Sequence, residues 1–343
     1  MSFAVLAHAF FSAGMDSGWA HSVLTIVEDQ PGNIFAPQAT PAHTIFGLSL
    51  LVLAMTLGIF LVVGGLLAYA VWRFRRRAGD NGEPTQVYGS NQIEVLWTVV
   101  PILILVVLFL ATMRVINGTE KARKPANALD VVVIGHQFWW EYRYPKLGIV
   151  TANELHIPVS SVQQPLPSYL TLTSADVDHS FWVPRLAGKT DLIPNKVNVM
   201  WMDPEKTGLY LGQCAQYCGT EHALMLIRLY VDTPEQFAKW TVQQQKPAAE
   251  NPTAAAGKEV FLHTACVNCH TVSGTLAKGR FGPDLTHLAS RDTLGSGVVM
   301  NTPENLRKWI DDPDSIKPGS LMPRMHLSSH DLDLVTAYMA SLR

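Results

Sequence analysis

The chain has 343 residues, of which 48% are hydrophobic and 16% charged, against roughly 25% charged in soluble domains, so part of it avoids water. With 26 Lys+Arg and 28 Asp+Glu the net charge is -2, which excludes a global nucleic-acid footprint. The four cysteines, Cys214, Cys218, Cys266 and Cys269, fall in two close pairs. That spacing suits metal or haem attachment better than a disulfide framework.

In chain order, residues 1–40 form a lead expected to lie outside the membrane. Its apolar stretch Phe3 to Ala13 resembles a signal-peptide core without the basic n-region. Residues 41–118 read as a transmembrane hairpin. Phe46 to Val71 is 26 residues without a charge, and Val95 to Met113 is 19 more; about 20 suffice to cross a hydrocarbon core. Pro101, inside the second run, is tolerated in membrane helices. Residues 1–72 carry no Lys or Arg, whereas Arg73, Arg75, Arg76 and Arg77 follow the first span directly. The cations put the connecting loop in the cytoplasm and both termini outside, as in a protein of a bacterial-type inner membrane.

Residues 119–241 switch to short β-rich runs bounded by Pro, Gly, Asp and Asn: Val131 to Ile134, Phe138 to Tyr144, Tyr169 to Thr173, Val197 to Trp201, Tyr210 to Gly212 and Leu224 to Val231. Such spacing predicts an all-β sandwich or barrel. Cys214, Cys218, His222 and Met225 fall within twelve positions. Thiolate, imidazole and thioether together favour copper, and a Met argues against structural zinc. His179, expected at the end of a strand, is a further imidazole, and two cysteines could bridge two copper ions.

These residues resemble subunit II of cytochrome c oxidase. The resemblance rests on C-x3-C-x3-H-x2-M with the upstream Asp176-x-x-His179, on Gly135-His136-Gln137 and its following aromatics, and on Glu94-x-x-Trp97-Thr98-x-x-Pro101. It implies a cupredoxin-like domain with a dinuclear copper centre, CuA, in which Cys214 and Cys218 bridge. His179 and His222 would be the imidazole ligands, Met225 the axial ligand and Gln216 a backbone-carbonyl ligand. Gln216 stands where the family usually has a Glu that helps bind magnesium at the boundary with subunit I, which leaves magnesium doubtful. Phe138 stands where many members have the Trp that receives the electron, so Phe138, Trp139 and Trp140 are all candidates for that contact. His136 is expected to have a hydrogen-bonding role. Glu94 resembles the carboxylate near the entrance of a proton path, and equally a carboxylate favoured by a helix N-terminus.

Residues 242–256 lack large apolar residues beyond Val242 and read as a linker. Residues 257–343 then carry Cys266-Val267-Asn268-Cys269-His270, the C-x-x-C-H signature of covalent haem c attachment. Met322, 52 residues beyond His270, resembles the axial Met of small class I, all-α cytochromes c, with Met325 an alternative. Leu332, Val335, Met339 and Leu342 share one face of a closing helix capped at Ser328. With 9 Lys+Arg and 9 Asp+Glu from residue 253 onward, this domain suits a tethered donor better than one steered by charge.

The resemblance therefore sharpens to oxidases whose subunit II carries a fused cytochrome c. It implies that an external donor reduces the haem, which passes electrons to CuA and on to subunit I. There oxygen is reduced to water with proton translocation; subunit III and membrane lipid are further expected partners. The rival readings are a membrane-tethered electron shuttle and a copper-delivery protein, for which the haem is superfluous.

Overall fold

The computed structural model describes residues 32–76, 78–79, 82–83, 86–120, 124–161, 165–249 and 251–343. The signal-like stretch Phe3 to Ala13 lies outside them. The chain divides into two compact units, His43–Ala122 and the remainder.

The first unit is the helical hairpin. Helix α1, Thr40–Arg73, has 34 residues and α2, Asn91–Glu120, has 30, about 51 and 45 Å long at 1.5 Å per residue. Both exceed a hydrocarbon core of about 30 Å. They expose large apolar side chains along their length, among them Phe60, Leu66, Trp97 and Phe109, as helices solvated by lipid do.

In the second unit ten strands build two facing sheets. They are β1 (Leu129–His136), β2 (Trp139–Tyr144), β3 (Ile149–Ala152), β4 (Glu154–Pro158), β5 (Ser168–Ser174), β6 (His179–Trp182), β7 (Thr190–Leu192), β8 (Asn198–Met202), β9 (Gly208–Cys214) and β10 (Leu226–Asp232). One sheet has the order β3-β2-β1-β5-β8, the other β4-β10-β9-β6-β7. β1 runs parallel to β5, and β10 parallel to β4. Period-two alternation sets the inner faces: β5 buries Leu170 and Leu172, and β10 buries Ile227, Leu229 and Val231. These meet Trp140, Tyr142, Tyr144 and Phe181 in one continuous core.

All six predicted strand regions form, with shifted ends. β3, β4, β6 and β7 were not predicted, being only three to five residues long. His179 opens β6 instead of ending a strand. The lead is pinned to the sandwich: Gln38 N donates to Arg185 O at 2.7 Å and Glu205 N donates to Gln38 O at 2.9 Å.

Helix α3, Pro234–Gln244, follows β10 behind a capping box made by Thr233 and Gln236. The expected linker is therefore partly structured. Its first three residues belong to α3, Pro252–Ala254 form a single 3-10 turn and α4 starts at Ala255. In between, Ala248 N donates to Ser273 O, and His287 Nε2 lies 3.1 Å from Lys246 O.

The last region packs α4 (Ala255–His263), the short α5 (Cys266–Cys269), α6 (Pro303–Asp311) and α7 (Ser329–Met339), with a two-residue β11–β12 pairing at Thr293–Leu294 and Val299–Met300. Gly257 sets the contact of α4 with α7, since a Cβ there would meet the Leu334 carbonyl carbon at 2.7 Å. The face expected on α7 is inward, with Leu332, Val335 and Met339 buried; Leu342, expected on the same face, is buried too but lies beyond the helix end.

Candidate metal centre and haem cavity

The copper-type donors converge where β6 begins and β9 ends. Cys214 closes β9, Cys218 lies on the loop beyond it, and His222 starts a 3-10 turn that returns the chain to β10. Cys214 Sγ is 3.9 Å from Cys218 Sγ, 3.9 Å from His179 Nδ1 and 3.2 Å from Gln216 O. Cys218 Sγ is 3.8 Å from His222 Nδ1 and 3.9 Å from Met225 Sδ. Thus the structure brings all six predicted positions together, two sulfurs in the middle and one imidazole on each. His179, Cys214, Cys218 and Met225 are buried.

The surroundings orient these donors toward one another. His179 Nε2 lies 2.9 Å from Asp176 Oδ1, which turns the ring's Nδ1 toward the sulfurs, the outer-shell arrangement typical of metal-bound histidine. Asp176 in turn accepts from Gln137 N at 2.6 Å and Val177 N at 2.6 Å. Burial raises the Asp176 carboxyl, but these bonds bring it below the usual carboxylate range. Hydrogen bonding from Cys218, with His179 and backbone N–H groups assisting, holds Cys214 well below the usual thiol range. Gly135 is required here: a Cβ would lie 2.7 Å from the His179 ring. A soft, buried, preoriented set of two thiols, two imidazoles, a thioether and a carbonyl fits copper.

The predicted haem residues surround a cavity of about 260 Å³, whose lining includes Cys266, Cys269, His270, Met322 and Met325. His270 Nδ1 donates to Pro283 O at 2.8 Å, leaving Nε2 as the free nitrogen. Burial lowers the imidazole's proton affinity, as a neutral iron ligand needs. Gly282 must be glycine, because a Cβ would come within 2.6 Å of the His270 ring. Phe261, Leu294, Val335 and Met339 make the walls apolar. Arg291 also lines the cavity; its Nη2 donates to Asp284 O, while its buried Nε has no hydrogen-bond partner, a donor suited to a carboxylate of a haem. The cavity therefore fits the group implied by the C-x-x-C-H motif. Met322 and Met325 both line it.

The aromatic candidates separate. Phe138 and Trp139 line the haem cavity. Trp140 is fully buried in the sandwich core and meets the His179 ring edge-on at 6.0 Å. Phe138 also packs toward the copper loop, as a Cβ on Gly219 would lie 2.9 Å from its ring. His136 takes the expected hydrogen-bonding role, 3.0 Å from Glu141 and stacked on Trp139 at 4.1 Å. Glu94 sits in the first turn of α2 and is exposed in this chain.

A helical hairpin apolar enough to cross a membrane, a cupredoxin-like sandwich and a helical cytochrome c domain define a membrane-bound electron-transfer subunit. Residues 30–115 match the transmembrane domain of cytochrome c oxidase subunit II, residues 152–231 its periplasmic domain and residues 254–343 cytochrome c. The cytochrome c oxidase subunit 2 of Alkalihalophilus pseudofirmus is 35% identical over 318 residues, covering 90% of this chain and 89% of the relative. That of Bacillus subtilis is 34% identical over 296 residues, covering 80% and 82%. The crystal structure of the periplasmic domain of subunit II (CoxB) of Bradyrhizobium japonicum is 30% identical with a TM-score of 0.33, covering 35% of this chain and 96% of that one. The chain belongs to the cytochrome c oxidase subunit 2 family and carries a fused cytochrome c domain.

Proposed function

We propose that this chain receives electrons at a covalently attached haem c and hands them, through a dinuclear copper centre, to the haem-bearing subunit I of the oxidase. Cys266 and Cys269 would hold the haem covalently, and His270 and Met322 would ligate its iron. His179, Cys214, Gln216 O, Cys218, His222 and Met225 would hold two copper ions. When bound, the two groups supply consecutive one-electron couples, the haem's raised by His/Met ligation.

The chain's own residues prepare that transfer. The Pro283 carbonyl and Asp176 each fix one imidazole with its ligating nitrogen inward. Phe261, Leu294 and Val335 give the cavity apolar walls. The observation that carries the reading is the place of Phe138, which lines the haem cavity while packing toward Gly219 beside Cys218. Phe138 and Trp139 are the proposed contacts for the electron, and Trp140 supports His179 from within the core.

The hairpin would dock on subunit I, with subunit III and lipid around it. The redox domains and both termini would lie outside a bacterial-type inner membrane, where an external donor reaches the haem. Reduction of oxygen to water and proton translocation belong to the complex, with Glu94 beside a proton-path entrance. Gln216 offers no carboxylate, so magnesium is left out. The test is a metal and haem count on the purified oxidase, followed by EPR during stepwise reduction. Two coppers and one covalently attached haem per chain beyond what subunit I holds, with a mixed-valence copper signal that fades as electrons arrive, are expected. Haem without a copper pair would overturn the reading.

A further inference from the structure

The loop that leads to Met322 crosses onto the copper loop. Lys317 Nζ is 3.2 Å from Glu221 Oε2 and donates to Phe138 O at 2.8 Å and to Gly295 O at 3.0 Å. Both side chains are buried, 3% and 2% exposed. Glu221 directly precedes His222, and Lys317 stands five residues before Met322. Gly319 then turns over the copper loop with φ +96°, and a Cβ there would lie 2.6 Å from Thr220 Oγ1.

Affinity between the two domains has other sources. Glu154 accepts from Asp292 N, Thr293 N and Thr293 Oγ1, while Leu226 and Ser296 exchange two hydrogen bonds. Burying an ammonium and a carboxylate costs solvation that the pair only partly returns, and an apolar pair of similar size often binds as well. Glu221 Oε1 is buried and lacks a hydrogen-bond partner, so the pair is a poor device for stability alone. It is a good device for register. An ammonium has three donors, and here all three are engaged, by two acceptors on the copper side and one on the cytochrome side. A slip of the interface in any direction strands a buried charge.

We propose that Lys317 and Glu221 form a buried latch that fixes the Met322 loop against the copper-ligand loop, so that this pair sets the interval between the two redox sites. Both are positioning residues, and the inference rests on the function proposed above for its cofactors. The latch makes the cytochrome domain a docked part with one register, whatever the slack of the segment joining it to α3.

The experiment uses the full chain in the purified oxidase, with a protease site inserted after Ala249. Lys317→Met is compared with the double variant Lys317→Met/Glu221→Met. Copper reduction is followed after flash reduction of the haem, and separately with a small diffusing dye that reaches the copper directly. In Lys317→Met, internal transfer is expected to slow by roughly tenfold or more, as small misplacements of reacting groups do. Haem absorbance, copper EPR and dye reduction stay unchanged, and the cytochrome fragment is released after cleavage. The double variant should retain the fragment and still transfer slowly, which separates register from affinity.

Wild-type transfer rates in both variants would overturn the latch. So would slowing that comes with loss of the copper EPR signal, since the pair would then only support the copper loop. If neither variant assembles, Lys317→Arg decides, since it keeps the charge but not the three-acceptor geometry: slowed transfer with intact copper and haem signals supports the latch, and a wild-type rate overturns it. A wild-type oxidase lacking copper or haem would sink the functional reading instead.

Discussion

In the sandwich, the sulfur and imidazole donors sit on strand ends and one short loop above a core that is continuous from Trp140 to Val231. In the cytochrome region, the corresponding donors surround a cavity of about 260 Å³. The first site rests on a filled core; the second lines an apolar cavity. Loss of cofactor should therefore affect the two regions unequally.

The largest effect is expected from Cys266→Ala/Cys269→Ala, which removes both haem attachment points. The cytochrome region should lose most of its protection in hydrogen exchange and be cut readily by protease, while the sandwich strands remain protected. Equal protection of both regions would break the comparison. Cys218→Ser is the counterpart on the copper side. It should abolish the copper pair and electron delivery to subunit I, yet leave the sandwich protected and the haem spectrum intact.

Asp176→Asn should have a graded effect. The amide still meets His179, but without the charge that favours the ligating tautomer. Outer-shell changes of this kind typically cost about 10–100-fold in metal affinity. A copper titration of the variant chain reads this directly, and an unchanged affinity would remove Asp176 from the site.

The same contrast explains what the sequence made legible. Cys214, Gln216, Cys218, His222 and Met225 are near neighbours in the chain, as are Cys266, Cys269 and His270, so their chemistry appears as spacing. Only His179 and Met322 come from a distance, and each sits in a motif of its own. β5 and β10 alternate in burial along their whole length, whereas β3, β6 and β7, at three or four residues, are too short to show a period. The partners that cross the chain left no local signal. Lys317 and Glu221 are 96 positions apart, and a lysine beside Pro-Gly resembles any surface loop residue. The segment after Val242 is polar enough to resemble a free tether, yet Lys246 and Ala248 are held by His287 and Ser273. The roles of Phe138, Trp139 and Trp140 were equally hidden, because which ring faces the cavity depends on where β2 begins.

The smallest effects come from helix caps and provide the finest measure of the difference. Thr233 Oγ1 accepts from Gln236 N at 3.2 Å at the start of α3, and Ser328 Oγ accepts from Asp331 N at 3.1 Å at the start of α7. Replacing either residue with Ala removes the same kind of bond and costs about 1 kcal/mol. In a domain of about 60–100 residues that lowers the melting temperature by about 4–8 °C. With haem bound, Thr233→Ala and Ser328→Ala should be equally mild. In the haem-free background, the margin left to α7 is small enough for Ser328→Ala to abolish residual protection of the cytochrome region. Thr233→Ala should still produce only its modest shift, because α3 leans on a core that is already filled: Phe237 and Trp240 pack against the sandwich. Hydrogen exchange on the four proteins separates the cases, and matching losses from both caps without haem would show that the cavity does not govern the stability of its domain.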